Sequence, residues 1–252
     1  MNRYECSLDG KPLSAISPSI FITDIREDSP TDRITAEPYA IHNGSRYIRK
    51  QRESLSVSVE FAIREQDVTR RMEVCQLIQK WAKNGGYFAR SDRPGQRIRV
   101  RCEILPSVAS ALKWTEILSV VFTAYELPYW ESVTAISVTT TGKKAIFVPG
   151  TADHSRANAT ITATGGELAS LTITTGVSTI SLSGINIANG GTVEIGHDDN
   201  GYLFIRSGST SLMAYRTETS DDDLLIPCGH SEIDVSGNVA VSMSLSARGV
   251  WF

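Results

Sequence analysis

The residues best suited to chemistry in this chain are its four histidines, its four cysteines and a few acidic runs. Their spacing assembles no familiar reactive set. His42, His154, His197 and His230 stand too far apart for the i, i+4 pair that holds zinc on a helix. No H-E-x-x-H, G-x-S-x-G elbow, Walker loop or G-x-G-x-x-G occurs. Cys6, Cys75, Cys102 and Cys228 form no C-x-x-C pair, so neither metal nor redox spacing is present, and four free thiols are expected. A triad built from distant residues is the one enzymatic option left, and nothing local supports it. The expectation is a non-enzyme with no cofactor and no catalytic or metal-ligating residue.

Four weaker clusters remain. His197-Asp198-Asp199-Asn200-Gly201 offers hard oxygens to a calcium ion, but Asp, Asn and Gly are also what a polar β-turn requires, and the turn is the better reading. Asp221-Asp222-Asp223 reads as a solvated loop. Arg46, Arg49, Lys50 and Arg52, with Tyr47 among them, suit DNA, an acidic partner or a charge-blunted edge strand. Arg97, Arg99 and Arg101 share one face of a strand, either solvated or a subunit contact. Sugar stacking would need aromatics, and the second half offers few beyond Tyr202, Phe204, Tyr215 and Trp251. Tyr202 and Phe204 are expected to share the core-facing side of their strand.

The elements that must position these residues change character at Pro128-Tyr129-Trp130, the expected domain junction. Before it, Ser19 to Ile25 reads as a strand, and Ala40 to Ile48 as a strand or hairpin turning at Asn43-Gly44. Leu55, Val57, Val59, Phe61 and Ile63 alternate with mostly polar residues, which predicts a strand with one buried face. Asp67 then caps a helix from Val68 to Lys83. Val68, Met72, Cys75, Ile78 or Leu77, and Trp81 are expected on its inner face, with Arg70, Arg71, Gln76, Gln79 and Lys80 outside. Gly85-Gly86 ends it. Strands at Ile98 to Ile104 and Glu116 to Tyr125 complete an α+β unit, an antiparallel sheet crossed by one helix.

After Trp130 the chain is rich in Thr, Ser and Gly and shows no helical periodicity. Short β-type runs recur with turn signals every eight to twelve residues, the mark of a β-sandwich or jelly roll. They begin at Val133 to Val138 and end at Val239 to Ala247, with Ser211 to Tyr215 among them. Thr139-Thr140-Thr141-Gly142 is the expected flexible link.

Charge divides the same way. Most of the 25 basic residues precede the junction, and twelve acids face only Lys143, Lys144, Arg156, Arg206, Arg216 and Arg248 after it. The net charge of −3 makes no global basic field, so sequence-specific nucleic-acid binding is not expected. Met1 to Cys6 lacks the apolar core of a signal peptide, and no run approaches the roughly 20 apolar residues of a membrane span, so no membrane partner is expected.

The arrangement resembles the siphophage distal tail protein (Dit) family. The likeness rests on the strand Leu55 to Ile63 leading into the helix with Trp81 and Gly85-Gly86. It continues with the strand Ile117 to Tyr125 running into Leu127-Pro128-Tyr129-Trp130. Leu225-Ile226-Pro227-Cys228-Gly229-His230-Ser231-Glu232-Ile233 is similar to the family's L-x-P-G-x-N-x-I turn, and Ala247-Arg248-Gly249-Val250-Trp251 to its basic-aromatic close. Cys228 interrupts the family's Pro-Gly step, and Leu127 stands where the family has Asp.

The resemblance implies a ring-forming α+β domain over 1–130 and a galectin-like sandwich or jelly roll over 131–252. It implies a homo-hexamer at the virion tail tip, assembled in the host cytoplasm. The ring would join the tail tube protein to the tail hub and tail-associated lysin. A receptor-binding protein or host-surface glycan is a further implied partner. Arg46, Arg49, Lys50 and Arg52 become candidate subunit-interface or channel-facing residues. The alternative is a carbohydrate-binding or adhesion module without enzymatic activity.

Overall fold

The alternation at Leu55–Ile63 organises the first half of the molecule. In the computed structural model, which describes residues 4–28, 32–38, 45–52, 54–112, 116–125, 127–198 and 201–252, every second residue of that strand is buried. The strands preceding it are β1 (Cys6–Leu8), β2 (Lys11–Pro12), β3 (Ile20–Glu27), β4 (Asp32–Pro38) and β5 (Ser45–Arg52). β6 (Leu55–Ile63) is followed by α1 (Val68–Ala82), β7 (Gly86–Arg90), β8 (Gln96–Ile104) and β9 (Leu118–Ala124). All pairings among them are antiparallel, in the order β3-β6-β9-β8-β7-β1-β2.

Register carries the buried row from strand to strand. Val57, Val59 and Phe61 face Phe122, Val120 and Leu118 of β9, and Val59 faces Ile25 of β3. Ile20 and Ile22 are buried on even positions and Ile25 on an odd one. A bulge between Ile22 and Asp24 absorbs the difference, because one extra residue exchanges the faces of a strand.

α1 starts where the sequence predicts. The Asp67 carboxylate accepts from Thr69 N at 2.7 Å and Arg70 N at 3.2 Å, satisfying two amides left over in the first turn. The helix ends at Gly85, whose φ of +66° suits glycine, and a Cβ there would fall on the Val100 carbonyl. Its buried stripe matches the expected one at Cys75 and Ile78 and differs elsewhere. Arg71, Cys75, Ile78 and Ala82 are inside, while Val68 and Leu77 are exposed. Arg71 is buried because its guanidinium donates to the carbonyls of Ala111 at 3.0 Å, Glu65 at 2.7 Å and Gln66 at 2.9 Å. Helical periodicity weighs Arg as polar, yet a buried guanidinium is tolerated once its donors meet acceptors. Trp81 is half-buried, edge-on to Phe122 at 5.9 Å.

The second half comprises β10 (Trp130–Thr140), β11 (Lys144–Val148), β12 (His154–Ala163), β13 (Leu168–Thr174), β14 (Thr179–Ile187) and β15 (Thr192–His197). β16 (Leu203–Ser207), β17 (Thr210–Ser211), β18 (Leu225–Pro227), β19 (Gly229–Gly237) and β20 (Val241–Trp251) follow. One sheet runs β17-β16-β15-β12-β20-β10, with β18 also on β12, and a second runs β11-β19-β13-β14. Both feed one apolar core: Ala159, Ile161, Val193, Ile205 and Leu245 from the first, Ile146, Ile173, Ile180 and Ile233 from the second. Two antiparallel sheets closing on a shared core are a sandwich arrangement.

Two expectations are corrected here. Ser211 to Tyr215 is not a strand: β17 is two residues long, and Met213–Tyr215 forms a 3-10 turn. Thr139 to Gly142 is no inter-domain link. It is the tight connection from β10 to β11, fastened by the Thr140 hydroxyl, which donates to Gly142 O at 2.9 Å and faces Gly142 N at 3.2 Å.

The chain divides into two compact units, Met1–Trp130 and Glu131–Phe252. No helix among the described residues is long and apolar enough to cross a membrane.

Candidate functional site

The basic positions of β5 are placed by a two-stranded ribbon. β4 and β5 pair antiparallel from Asp32↔Arg52 to Pro38↔Ser45, with an irregularity between Thr35 and Ala36. Asn43-Gly44, the expected turn, lies outside the described residues. The irregularity matters for the cluster. Arg46 pairs with Glu37 and Arg49 with Thr35, two positions apart on β4 and so on one face. Lys50 pairs with Ile34 and Arg52 with Asp32, on the other face, as does Tyr47 with Ala36. By register, the ribbon therefore carries cationic positions on both faces.

The junction residues are held by groups far away in sequence. Pro128 and Tyr129 are half-buried, whereas Trp130 is wholly buried. Its indole N–H donates to Glu27 Oε1 at 3.2 Å, and its ring lies 6.4 Å from Phe88. Glu27 faces Arg93 at 3.1 Å and Arg90 at 3.5 Å, and the Arg93 guanidinium sits 4.9 Å above the Trp130 ring. Arg90 also meets Asp92 at 2.5 Å, and this hydrogen bond holds the Asp92 carboxyl below the ordinary carboxylate range. The last residue of the first unit is thus fixed by an aromatic contact and a half-buried charge cluster. Sequence reading names Trp130 but misses Glu27, Arg90 and Arg93, since no local pattern connects them.

The remaining clusters also resolve into contacts. Asp221 accepts from Thr179 N at 2.6 Å, and Asp222 pairs with Arg216 at 2.9 Å. Asp223 accepts from Arg156 at 3.3 Å and also meets His197 Nε2. The segment is a loop, as the sequence suggests, with Asp221 and Asp222 exposed and Asp223 half-buried. Burial opposes ionisation of Asp223, but the hydrogen bond from His197 and the charges of His197 and Arg156 outweigh it and lower its pKa. The other ring nitrogen of His197 lies 3.2 Å from Asn158 Oδ1. Asp198 behaves as a turn residue, its carboxylate accepting from Tyr202 N at 2.9 Å.

Tyr202 and Phe204 are not on the core face. Tyr202 is largely exposed and Phe204 half-buried on the outer side of the sheet, while Ile205 points inward. Tyr202 and Phe204 do share one side of the strand, as alternation requires, but it is the outer side, because the second sheet covers the face that carries Ile205. Arg97 stacks over Tyr87 at 3.8 Å.

The fold is similar to that of a solved phage distal tail protein. The structure of SPP1 Dit, described as a paradigm of hub adsorption apparatus in phages infecting Gram-positive hosts, superposes with a TM-score of 0.69 at 10% identity. That alignment covers 97% of this chain and 98% of SPP1 Dit. Chains of the phage P2 baseplate in its activated conformation align at TM-scores of 0.41 with calcium and 0.43 with strontium, each at 7% identity. The calcium form covers 98% of this chain and 97% of its own, and the strontium form 97% of each. No protein-family model and no curated protein sequence matches the chain.

Proposed function

We propose that this protein is a structural component of a siphophage tail tip, forming a hexameric ring that joins the tail tube to the tail-tip hub. The observation that carries this reading is the near full-length likeness to SPP1 Dit. In this reading the first unit is the ring-forming α+β domain and the second a galectin-like sandwich directed to hub, lysin or receptor-binding partners. Its role is to hold parts together; the reading assigns it no reaction and no cofactor.

The β4–β5 ribbon supports a role in assembly. Among the described residues it pairs with no other strand, and Ile34 is 64% exposed. A lone two-stranded ribbon is marginal in water and gains stability from a surface to lie on. A neighbouring copy supplies such a surface in a head-to-tail interface, which closes into a ring when its rotation divides a full turn. Arg46, Arg49, Lys50 and Arg52 are then contact or channel-facing positions.

The test is light scattering and electron microscopy of the protein co-expressed with its tube and hub partners. A six-copy ring is expected, weakened by the double charge reversal Arg46→Glu and Arg49→Glu. A strict monomer in the presence of those partners would overturn the reading.

A further inference from the structure

We propose that residues 216–223 are an edge guard, a strap that occupies the open edge of β14 and keeps this strand from pairing with the β14 of a second copy of the chain. Among the described residues β14 ends its sheet, with β13 on one side and no strand on the other. The last strand of a sheet presents unpaired N–H and C=O groups, and these attract the strands of other molecules unless something blunts them.

The sheet edges of this protein are blunted in different ways. β3 carries Asp24, Arg26, Glu27 and a bulge, and the Asp24 carboxylate accepts from Ile25 N at 2.9 Å. β11 starts at Lys144 and runs into Pro149. β14 has neither charge nor proline in its nine residues, Thr-Ile-Ser-Leu-Ser-Gly-Ile-Asn-Ile. Gly184, at φ +76°, interrupts its far part, opposite a register shift in β13. The regular part, Thr179 to Ser183, has no protection of its own.

The strap supplies it. An antiparallel strand turns the N–H and C=O of every second residue to the same edge, and on β14 the strap meets those of Thr179 and Ser181. Their carbonyls accept from Asp221 N at 2.8 Å and Thr217 N at 3.0 Å. Their amides donate to Asp221 Oδ2 at 2.6 Å and Ser220 Oγ at 3.3 Å. Two side chains thus stand in for carbonyls of a neighbouring strand. No residue from 216 to 223 belongs to a strand, so the strap consumes this edge without offering another. Glu218, Asp221 and Asp222 are exposed on it, bringing the charge that β14 lacks.

The strap is braced and anchored at both ends. Arg216 Nη2 donates to Asp221 O at 2.6 Å and meets Asp222 Oδ1 at 2.9 Å. Leu212 before the strap and Leu224 after it are buried in the core of the second unit, and Asp223 is tied to Arg156 and His197. Being part of the chain, the strap meets β14 without the entropy cost of association that a second molecule pays.

Strap and edge lie wholly within the second unit, so the test does not depend on the tail-tip reading. It is amide hydrogen exchange and sedimentation of the full chain carrying Ser220→Ala and Asp221→Ala, against the wild type. Loss of both side-chain acceptors should speed exchange at Thr179 and Ser181 by about tenfold in dilute protein. At rising concentration the variant should associate beyond the wild-type state. Adding Ser183→Lys, at an exposed position of the same strand, should abolish that association, because a lysine on an edge strand opposes pairing. Arg216→Ala loosens the brace and leaves both acceptors in place, so it carries the test should the double variant misfold. Unchanged exchange in a folded variant, association no greater than that of the wild type, or association that survives Ser183→Lys would overturn the proposal.

Discussion

At the scale of single residues, the charged groups that matter are those whose partners come from distant strands. Asp223 is the clearest case, ionised below its ordinary range against burial because His197 and Arg156 reach it. A carboxyl with a depressed folded pKa contributes stability that is full above the unfolded value of about 3.9 and is lost as pH falls through the lower folded value. Asp223→Asn should therefore cost about 1–2 kcal/mol at neutral pH, the lower part of the range for a hydrogen bond to a charged group, because Asp223 is partly solvated. The deficit should shrink towards pH 2 as the native carboxyl is protonated. Denaturant midpoints measured from pH 7 to pH 2 check this, and a deficit independent of pH would contradict it. The sequence marks Asp223 only as part of an acidic run, without its partners His197 and Arg156, and does not mark the Trp130 anchor Glu27 at all.

At the scale of elements, local rules place the starts and stops better than the faces. Asp67 and Gly85 bound α1 because capping and left-handed geometry are local requirements. Asp67→Ala should cost about 1 kcal/mol of stability, read as a lower thermal midpoint, with Asp67→Ser retaining most of it. The buried face of α1 was not legible in the same way. The acceptors for Arg71 include Ala111 O, forty residues on, and periodicity contains no information about them. The same holds for β16, where alternation groups Tyr202 with Phe204 but the packing of the second sheet on the Ile205 side decides that they face outward. β1, β2 and β7 are too short for alternation to reveal, and their pairing with one another and with β8 defines them instead.

At the scale of the whole molecule, each unit has its own buried core. Phe61, Phe88, Phe122 and Trp130 are wholly buried in the first, and Ile161, Leu171 and Ile173 are buried in the second. Separate cores favour separate folding. Residues 1–130 and 131–252, expressed apart, should each be soluble and unfold cooperatively by circular dichroism. A fragment 131–252 that stays unfolded would contradict two self-sufficient domains. The ribbon of β4 and β5 belongs to this scale as well, since its energetics make sense only with a surface to rest on.

The sequence by itself determined the strand and helix inventory of the larger elements, the change of texture at Trp130 and the want of any local reactive motif. Those properties follow from spacing, capping and turn chemistry, which act over a few residues. Only the tertiary structure decided that Arg71 is buried, that Asp223 and His197 are partners, and that Phe204 faces outward instead of into the core. Each of these depends on strand register and on contacts between residues tens of positions apart. Antiparallel pairing sets those contacts, and a one-residue bulge is enough to change them.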